Sequence, residues 1–266
     1  MKVKLFCLFC VAVISGCATS PTGQKQLLFY DRSSMAAKGE QSFEELKQNL
    51  EVSRNEAINA YAQCISQAIV SVVPEEYGYA PEEWEVVVFD SEAVNAFALP
   101  GAKIGIYTGL IELADNADQL AAVVGHEVGH VLANHSNARL SSQQMTALGL
   151  MVAGLALAEN ENQQAWVAGL GITSQVLLIL PYGRSHESEA DLIGQELMAD
   201  AGFDPRQAAQ LWVRMSENAS SSTPELLSTH PSHDTRISDL QAAQDEYYSR
   251  YLQVVEAGQR PNCVKP

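Results

Sequence analysis

Residues 120–135 read LAAVVGHEVGHVLANH. His126 and His130 stand four apart in an apolar run, with Glu127 beside the first. In an α-helix, residues i and i+4 lie one above the other on one face, so both imidazoles can reach a single metal ion. Glu127 is then placed to take a proton from water at that metal. Five residues in this pattern also occur by chance, so the surroundings decide. Upstream, residues 84–89 (WEVVVF), 94–99 (VNAFAL) and 103–108 (KIGIYT) read as strands rich in β-branched and aromatic residues. Pro100-Gly101 between the last two predicts a tight return. From Gly109 the pattern turns helical, and Asp115 or Asn116 can cap a helix through about residue 139.

A catalytic metal of this type wants a third protein ligand and an open fourth position. An unbroken helix carries His135 about half a turn away from His126, so it faces elsewhere. The remaining donors lie in RSHESEAD, residues 184–191. Glu187 and Asp191 are spaced i,i+4 and share a face, whereas Glu189 points away. The shared face supplies one carboxylate ligand and one acceptor for the N–H of a ligand histidine. The plain alternative is a solvated acidic helix start, favourable to the helix dipole. The His-Glu-x-x-His run tips the reading toward ligands.

The other segments are helical in pattern. Residues 33–73 carry Phe43, Leu46, Leu50, Ile58, Tyr61, Ile65 and Ile69 at near-helical spacing and end at Pro74. Residues 147–158 and 165–180 are two apolar stretches separated by ENENQQ. Gly149/Ala153 and Ala165/Gly169 are small residues four apart, a spacing that permits close helix approach. Each stretch is too short to span a bilayer, so a pair of buried core helices is expected rather than a membrane-dipping hairpin. Further helices are expected over 185–200, from Asp204-Pro205, and over 234–254.

Composition bounds the function. The chain has 266 residues, 47% hydrophobic and 18% charged, which excludes wholesale disorder. Sixteen Lys+Arg against 32 Asp+Glu give a formal charge of −16. That balance argues against nucleic acid as a partner and against electrostatic attachment to anionic lipid. Lys2 and Lys4, the apolar run 5–14 and then Ser15-Gly16-Cys17 describe a secretory signal. Ile14-Ser15-Gly16-Cys17 resembles a bacterial lipobox, which implies cleavage after residue 16 and a stable multi-chain lipid anchor on Cys17. Ala18 in the next position favours the outer membrane by the same resemblance. Residues 17–32 then read as lipidated cysteine and polar tether, 33–254 as the domain, and 255–266 as a tail. Export also removes Cys7 and Cys10, leaving Cys64 and Cys263 to form one disulfide in an oxidising compartment.

NAFALPG (95–101), GHEVGH (125–130), RSHESEAD (184–191) and STHPSHDTR (228–236) occur in this order. Together they resemble peptidase family M48, the gluzincin zinc proteases, and in particular its soluble branch. The resemblance implies an α+β fold: a mainly helical, gluzincin-like domain with a sheet of three or four strands, whose edge strand flanks the HExxH helix. It implies one Zn²⁺ per chain, with His126, His130 and Glu187 as ligands, Glu127 as general base and Asp191 orienting a ligand histidine. Asn95, Ala96, Phe97, Ala98 and Leu99 match the edge strand on which a peptide substrate can add. His230 matches a histidine near the zinc that either caps the open position or stabilises the oxyanion, and Arg236 reads as a structural salt bridge.

The activity implied is a zinc-dependent endopeptidase facing the periplasm, anchored in the bacterial envelope. Its partners would be misfolded or misassembled envelope proteins and the membrane reached through Cys17. The competing reading is a zinc-bound chaperone or assembly factor that holds unfolded strands and rarely cleaves. A purely structural metal is disfavoured by three protein ligands plus water, since structural zinc is usually held by four protein groups.

Overall fold

The computed structural model describes residues 17–175, 180–218, 226, 228, 230 and 236–266. It is an α+β protein, helical around a small sheet. The chain opens with a two-stranded antiparallel hairpin, β1 (Cys17–Thr19) and β2 (Lys25–Leu27). Residues 18–27, read from sequence as a polar tether, are thus ordered, with Ser20 and Gln26 buried. Polar composition was a poor guide there because the polar side chains have partners inside the domain.

Helices α1 (Arg32–Asn49) and α2 (Glu56–Ser71) replace the single helix expected over 33–73. The interruption is a tertiary effect. The Ser53 N–H donates to the Val88 carbonyl and the Asp90 N–H to the Glu51 carbonyl, so residues 51–53 run along the neighbouring strand instead of continuing the helix. Asn55 then caps α2 by accepting from the Ala57 and Ile58 N–H groups.

The main sheet has three strands, β3 (Glu85–Phe89), β4 (Ala96–Leu99) and β5 (Lys103–Tyr107), ordered β3-β5-β4. β3 lies parallel to β5, and β4 pairs with it antiparallel from Ala96↔Ile106 to Leu99↔Lys103. The tight return at Pro100 uses Gly101 and Ala102, both at positive φ. β4 is therefore the edge expected from the sequence. Phe43, Phe89, Phe97 and Tyr107 pack edge-on or stacked over one side of the sheet, with ring centroids 5.8–6.4 Å apart.

After α3 (Thr108–Leu113) comes the central helix, α4 (Ala117–Leu132), capped by Asn116 accepting from the Gln119 N–H. Every residue from Asp118 to Leu132 is buried. Asn134 sits in the left-handed region (φ 58°) and breaks the helix. α5 (His135–Ala156) restarts at once and turns back through α6 (Gln163–Ser174). α7 (Leu180–Asp200) crosses α4, followed by α8 (Arg206–Asn218) and α9 (Arg236–Glu256). The hydrophobic core lies between α2, the sheet, α4, α7 and α8. A Cys64–Cys263 disulfide, spanning 199 residues, fastens the C-terminal segment to α2.

The α5–α6 hairpin corrects the expectation of buried core helices. Leu155 is 72% and Ile172 68% exposed, Met151 and Trp166 are also open, and no residue of α6 is buried. Among the described residues, no helix is long and apolar enough to cross a membrane.

Candidate metal centre

Close helix approach builds the site. A Cβ on Gly194 of α7 would stand 2.8 Å from the His126 backbone nitrogen, and one on Gly129 of α4 would stand 2.9 Å from the Ala190 carbonyl oxygen. Only glycine lets the two backbones meet there. The contact brings Glu187 and Asp191 of α7 against the two histidines of α4.

The ring nitrogens are then sorted by their partners. His126 Nδ1 lies 2.9 Å from Asp191 Oδ1, and His130 Nδ1 lies 2.8 Å from His135 Nδ1. Both Nε2 atoms face inward, 3.1 Å apart. Glu187 Oε2 is 3.3 Å from His126 Nε2, and its Oε1 is 3.6 Å from His130 Nε2. His230 Nδ1 completes the group, 3.0 Å from Glu187 Oε2 and 3.3 Å from His126 Nε2. Tetrahedral donors about 2.1 Å from one ion stand about 3.4 Å apart, and these spacings bracket that value. Two imidazoles, a carboxylate and a third imidazole are the donor set that zinc takes.

Glu127 stands beside the group. Its Oε2 accepts from the Ala98 N–H of β4 at 3.2 Å. Its Oε1 is buried without a hydrogen-bond partner among the described residues, 3.4 Å from His230 Nε2. A buried carboxylate oxygen left bare in this way fits a water or substrate group that arrives with the metal. Arg236, fully buried and stacked 3.4 Å over Trp212, donates to Asp191 Oδ1 at 2.7 Å and to the His230 carbonyl at 3.3 Å. The salt bridge expected of Arg236 is present, but it lies inside the site rather than away from it.

Electrostatics follow from this packing. Burial and Arg236 both oppose charge on His126, yet hydrogen bonds to Asp191 and Glu187 outweigh them and hold its pKa up at about 9. Burial alone dominates at His130, whose pKa falls well below the usual value, and at His186, where it drops to about 3. Burial would raise Glu187, but its bonds to His126, His130 and His230 depress it far below the carboxylate range.

Of the residues singled out in the sequence, His126, Glu127, His130, Glu187, Asp191 and His230 converge here. Asn95 is buried, its side-chain oxygen accepting from the Ala96 N–H at 2.9 Å and its carbonyl from the Tyr107 N–H. Ala96 to Leu99 form the sheet edge, and Ala98 touches Glu127 directly. The signal segment 1–16 and the Cys17 side chain lie outside the described residues. Two residues set aside in the sequence belong to the surroundings of the site. His135 folds back onto His130 because the helix breaks at Asn134, and Glu189 Oε2 meets His135 Nε2 at 3.1 Å. Ala133-Asn134 was the only available signal, since asparagine tolerates the left-handed region.

A helix-borne His-Glu-x-x-His, a carboxylate from a second buried helix and an edge strand against the glutamate are the parts from which a metal-dependent peptidase site is built. Residues 56–244 match peptidase family M48, and the chain belongs to that family. It is 34% identical over 162 residues to the mitochondrial metalloendopeptidase OMA1 of Schizosaccharomyces pombe, covering 60% of this chain and 46% of that one. The zebrafish (Danio rerio) mitochondrial metalloendopeptidase OMA1 is 31% identical over 241 residues, 82% of this chain and 48% of that one. The beta-barrel assembly-enhancing protease of Yersinia pestis is 31% identical over 158 residues, 56% of this chain and 32% of that one. The chain spans about half the length, or less, of these curated relatives.

Proposed function

We propose that the chain is a zinc endopeptidase of the bacterial envelope, with His126 Nε2, His130 Nε2 and Glu187 as ligands. The observation that carries this reading is the cluster of His126, His130, Glu187 and His230, whose ligand atoms all lie within 4.8 Å of one another beside the bare Glu127 Oε1. A zinc ion held there supplies Lewis acidity and makes a water nucleophilic near neutral pH. Asp191, itself braced by Arg236, accepts from His126 Nδ1 and keeps Nε2 free for binding. Glu127 takes the proton of the attacking water on Oε1 and passes it to the leaving amine. The β4 edge from Asn95 to Leu99 aligns an extended substrate by main-chain hydrogen bonds. His230, within reach of both Glu127 and Glu187, donates to the developing oxyanion when a substrate is seated.

The position of His230 favours a second element of the reading. With it the group offers four protein donors, the closed arrangement of a non-catalytic zinc. A zinc ion held by all four would leave the resting chain self-blocked, and His230 would have to move aside before a substrate could be seated. The same closed group would serve the alternative, a zinc-bound chaperone or assembly factor with little cleavage.

The lipobox-like start supports a signal over residues 1–16, a lipid anchor on Cys17 and a periplasm-facing place, with the outer membrane preferred. The protease domain covers 33–254 and the tail 255–266. Likeness to a beta-barrel assembly-enhancing protease supports misfolded or misassembled envelope proteins as substrates. The deciding experiment is casein cleavage by the zinc-loaded full chain beside Glu127→Gln. Cleavage by the wild type alone establishes the protease. Zinc binding without cleavage by either, persisting in His230→Ala, supports the chaperone instead.

A further inference from the structure

The β1–β2 hairpin is wired to the metal centre. Ser20 Oγ donates to Glu189 Oε1 at 2.5 Å, and Thr22 Oγ1 and the Thr22 N–H donate to the same oxygen at 2.6 and 3.2 Å. The other oxygen, Glu189 Oε2, lies 3.1 Å from His135 Nε2. His135 Nδ1 lies 2.8 Å from His130 Nδ1. Ser20, His135 and Glu189 are all buried, and His186 stacks on the His135 ring at a centroid distance of 4.0 Å. The Gln24 side chain adds a bond to the Ser185 carbonyl on the same helix.

The chemistry gives this line one direction. An ionised carboxylate only accepts, so His135 must carry its proton on Nε2 to meet Glu189. Its Nδ1 is then an acceptor, which requires His130 to donate from Nδ1. That in turn leaves the lone pair of His130 on Nε2, the nitrogen facing the metal group. His130 thus has a support equivalent to the one Asp191 gives His126, except that it ends in the N-terminal hairpin instead of in Arg236.

We infer that Glu189 and His135 are positioning residues for His130, and that Ser20 and Thr22 of the hairpin hold them in register, so that docking of the hairpin and metal binding reinforce each other. This rests on the zinc reading above. Partners of this kind are worth about 10–100-fold in metal affinity, and coupling between two sites is reciprocal. Under the proposed anchoring, Ser20 follows the lipidated Cys17 by three residues, so the line joins the anchor point to the reacting centre.

A glutamine at 189 separates the two halves of the arrangement. It has one acceptor oxygen, and both the Thr22 N–H and His135 Nε2–H need one. The test uses the purified full chain and zinc itself. Zinc affinity is measured by chelator competition for wild type, Glu189→Gln, Ser20→Ala/Thr22→Val and the hydroxyl-retaining Ser20→Thr/Thr22→Ser. Amide exchange at Thr22 is followed with and without zinc. We expect at least tenfold weaker zinc binding for Glu189→Gln, about tenfold for Ser20→Ala/Thr22→Val, near-wild-type affinity for the hydroxyl-retaining pair, and slower Thr22 exchange with zinc. The hairpin pair keeps the test sound if Glu189→Gln folds poorly. Unchanged affinity in the hairpin pair, with zinc-indifferent Thr22 exchange, overturns the inference while leaving the zinc reading standing. A wild type that binds no zinc overturns both.

Discussion

Two helix pairs in this molecule carry glycine and alanine four residues apart, and they use them in opposite ways. At the α4–α7 crossing, a Cβ on Gly194 or Gly129 would sit within 3 Å of the facing backbone. In the α5–α6 hairpin, a Cβ on Gly149 or Gly169 would meet nothing within 4 Å. One pair is sealed and carries the candidate ligands His126, His130 and Glu187, while the other exposes its apolar side chains. A small-residue spacing permits close approach, and only a neighbouring backbone with its own small residues realises it.

Four measurements probe this contrast. Glu127→Gln is expected to lower kcat by about 10²–10⁴-fold, the usual worth of a general base, with KM and the thermal midpoint little changed. Wild-type-like turnover in that variant removes the catalytic role from the sealed side. Chelating the metal should cost about 4 kcal/mol of stability if zinc stands near a thousandfold above its Kd, read by denaturant titration. Hydrogen exchange should rise along α4 and α7 and stay flat in α5–α6. Equal effects on the two pairs would mean that they form one cooperative unit.

The paired glycine substitutions come next. Gly194→Ala is expected to destabilise by about 3 kcal/mol, because the clash is with backbone and cannot relax by a rotamer change. Gly149→Ala should stabilise by up to about 1 kcal/mol, since alanine is the better helix former and the space is open. Same-sign changes would break the comparison. Smallest of all, Leu155→Ser or Ile172→Ser should shift stability by no more than about 0.5 kcal/mol, the usual range for exposed positions. A loss above about 2 kcal/mol in thermal unfolding would show that these side chains are covered in solution.

Much of the centre could be read from residues alone. His126, Glu127 and His130 follow from helical spacing, and the Glu187–Asp191 pair from the same rule. β3, β4 and β5 follow from β-branched runs and the Pro-Gly return. The misreadings come from a helix break or from tertiary contacts, present or absent, that side-chain periodicity and composition do not carry. Leu46, Leu50 and Ile58 keep helical spacing across a gap that β3 imposes at Val52. His135 turns inward only because Asn134 ends α4. The α5–α6 stretches have the composition of a core without a neighbour to make them one. Residues 18–27 have the composition of a linker, yet Ser20 and Thr22 find a buried carboxylate 169 and 167 residues away.

Ala98, His126, Glu127, His130, Glu187, Asp191 and His230 all fall between Cys64 and Cys263, which are joined covalently. A single backbone cut anywhere in that stretch, such as in the exposed Glu159–Asn162 turn, leaves both fragments on one molecule. A peptidase that nicks its own copies would therefore keep its metal group together. The nicked form would run as one band without reductant and as two bands with it.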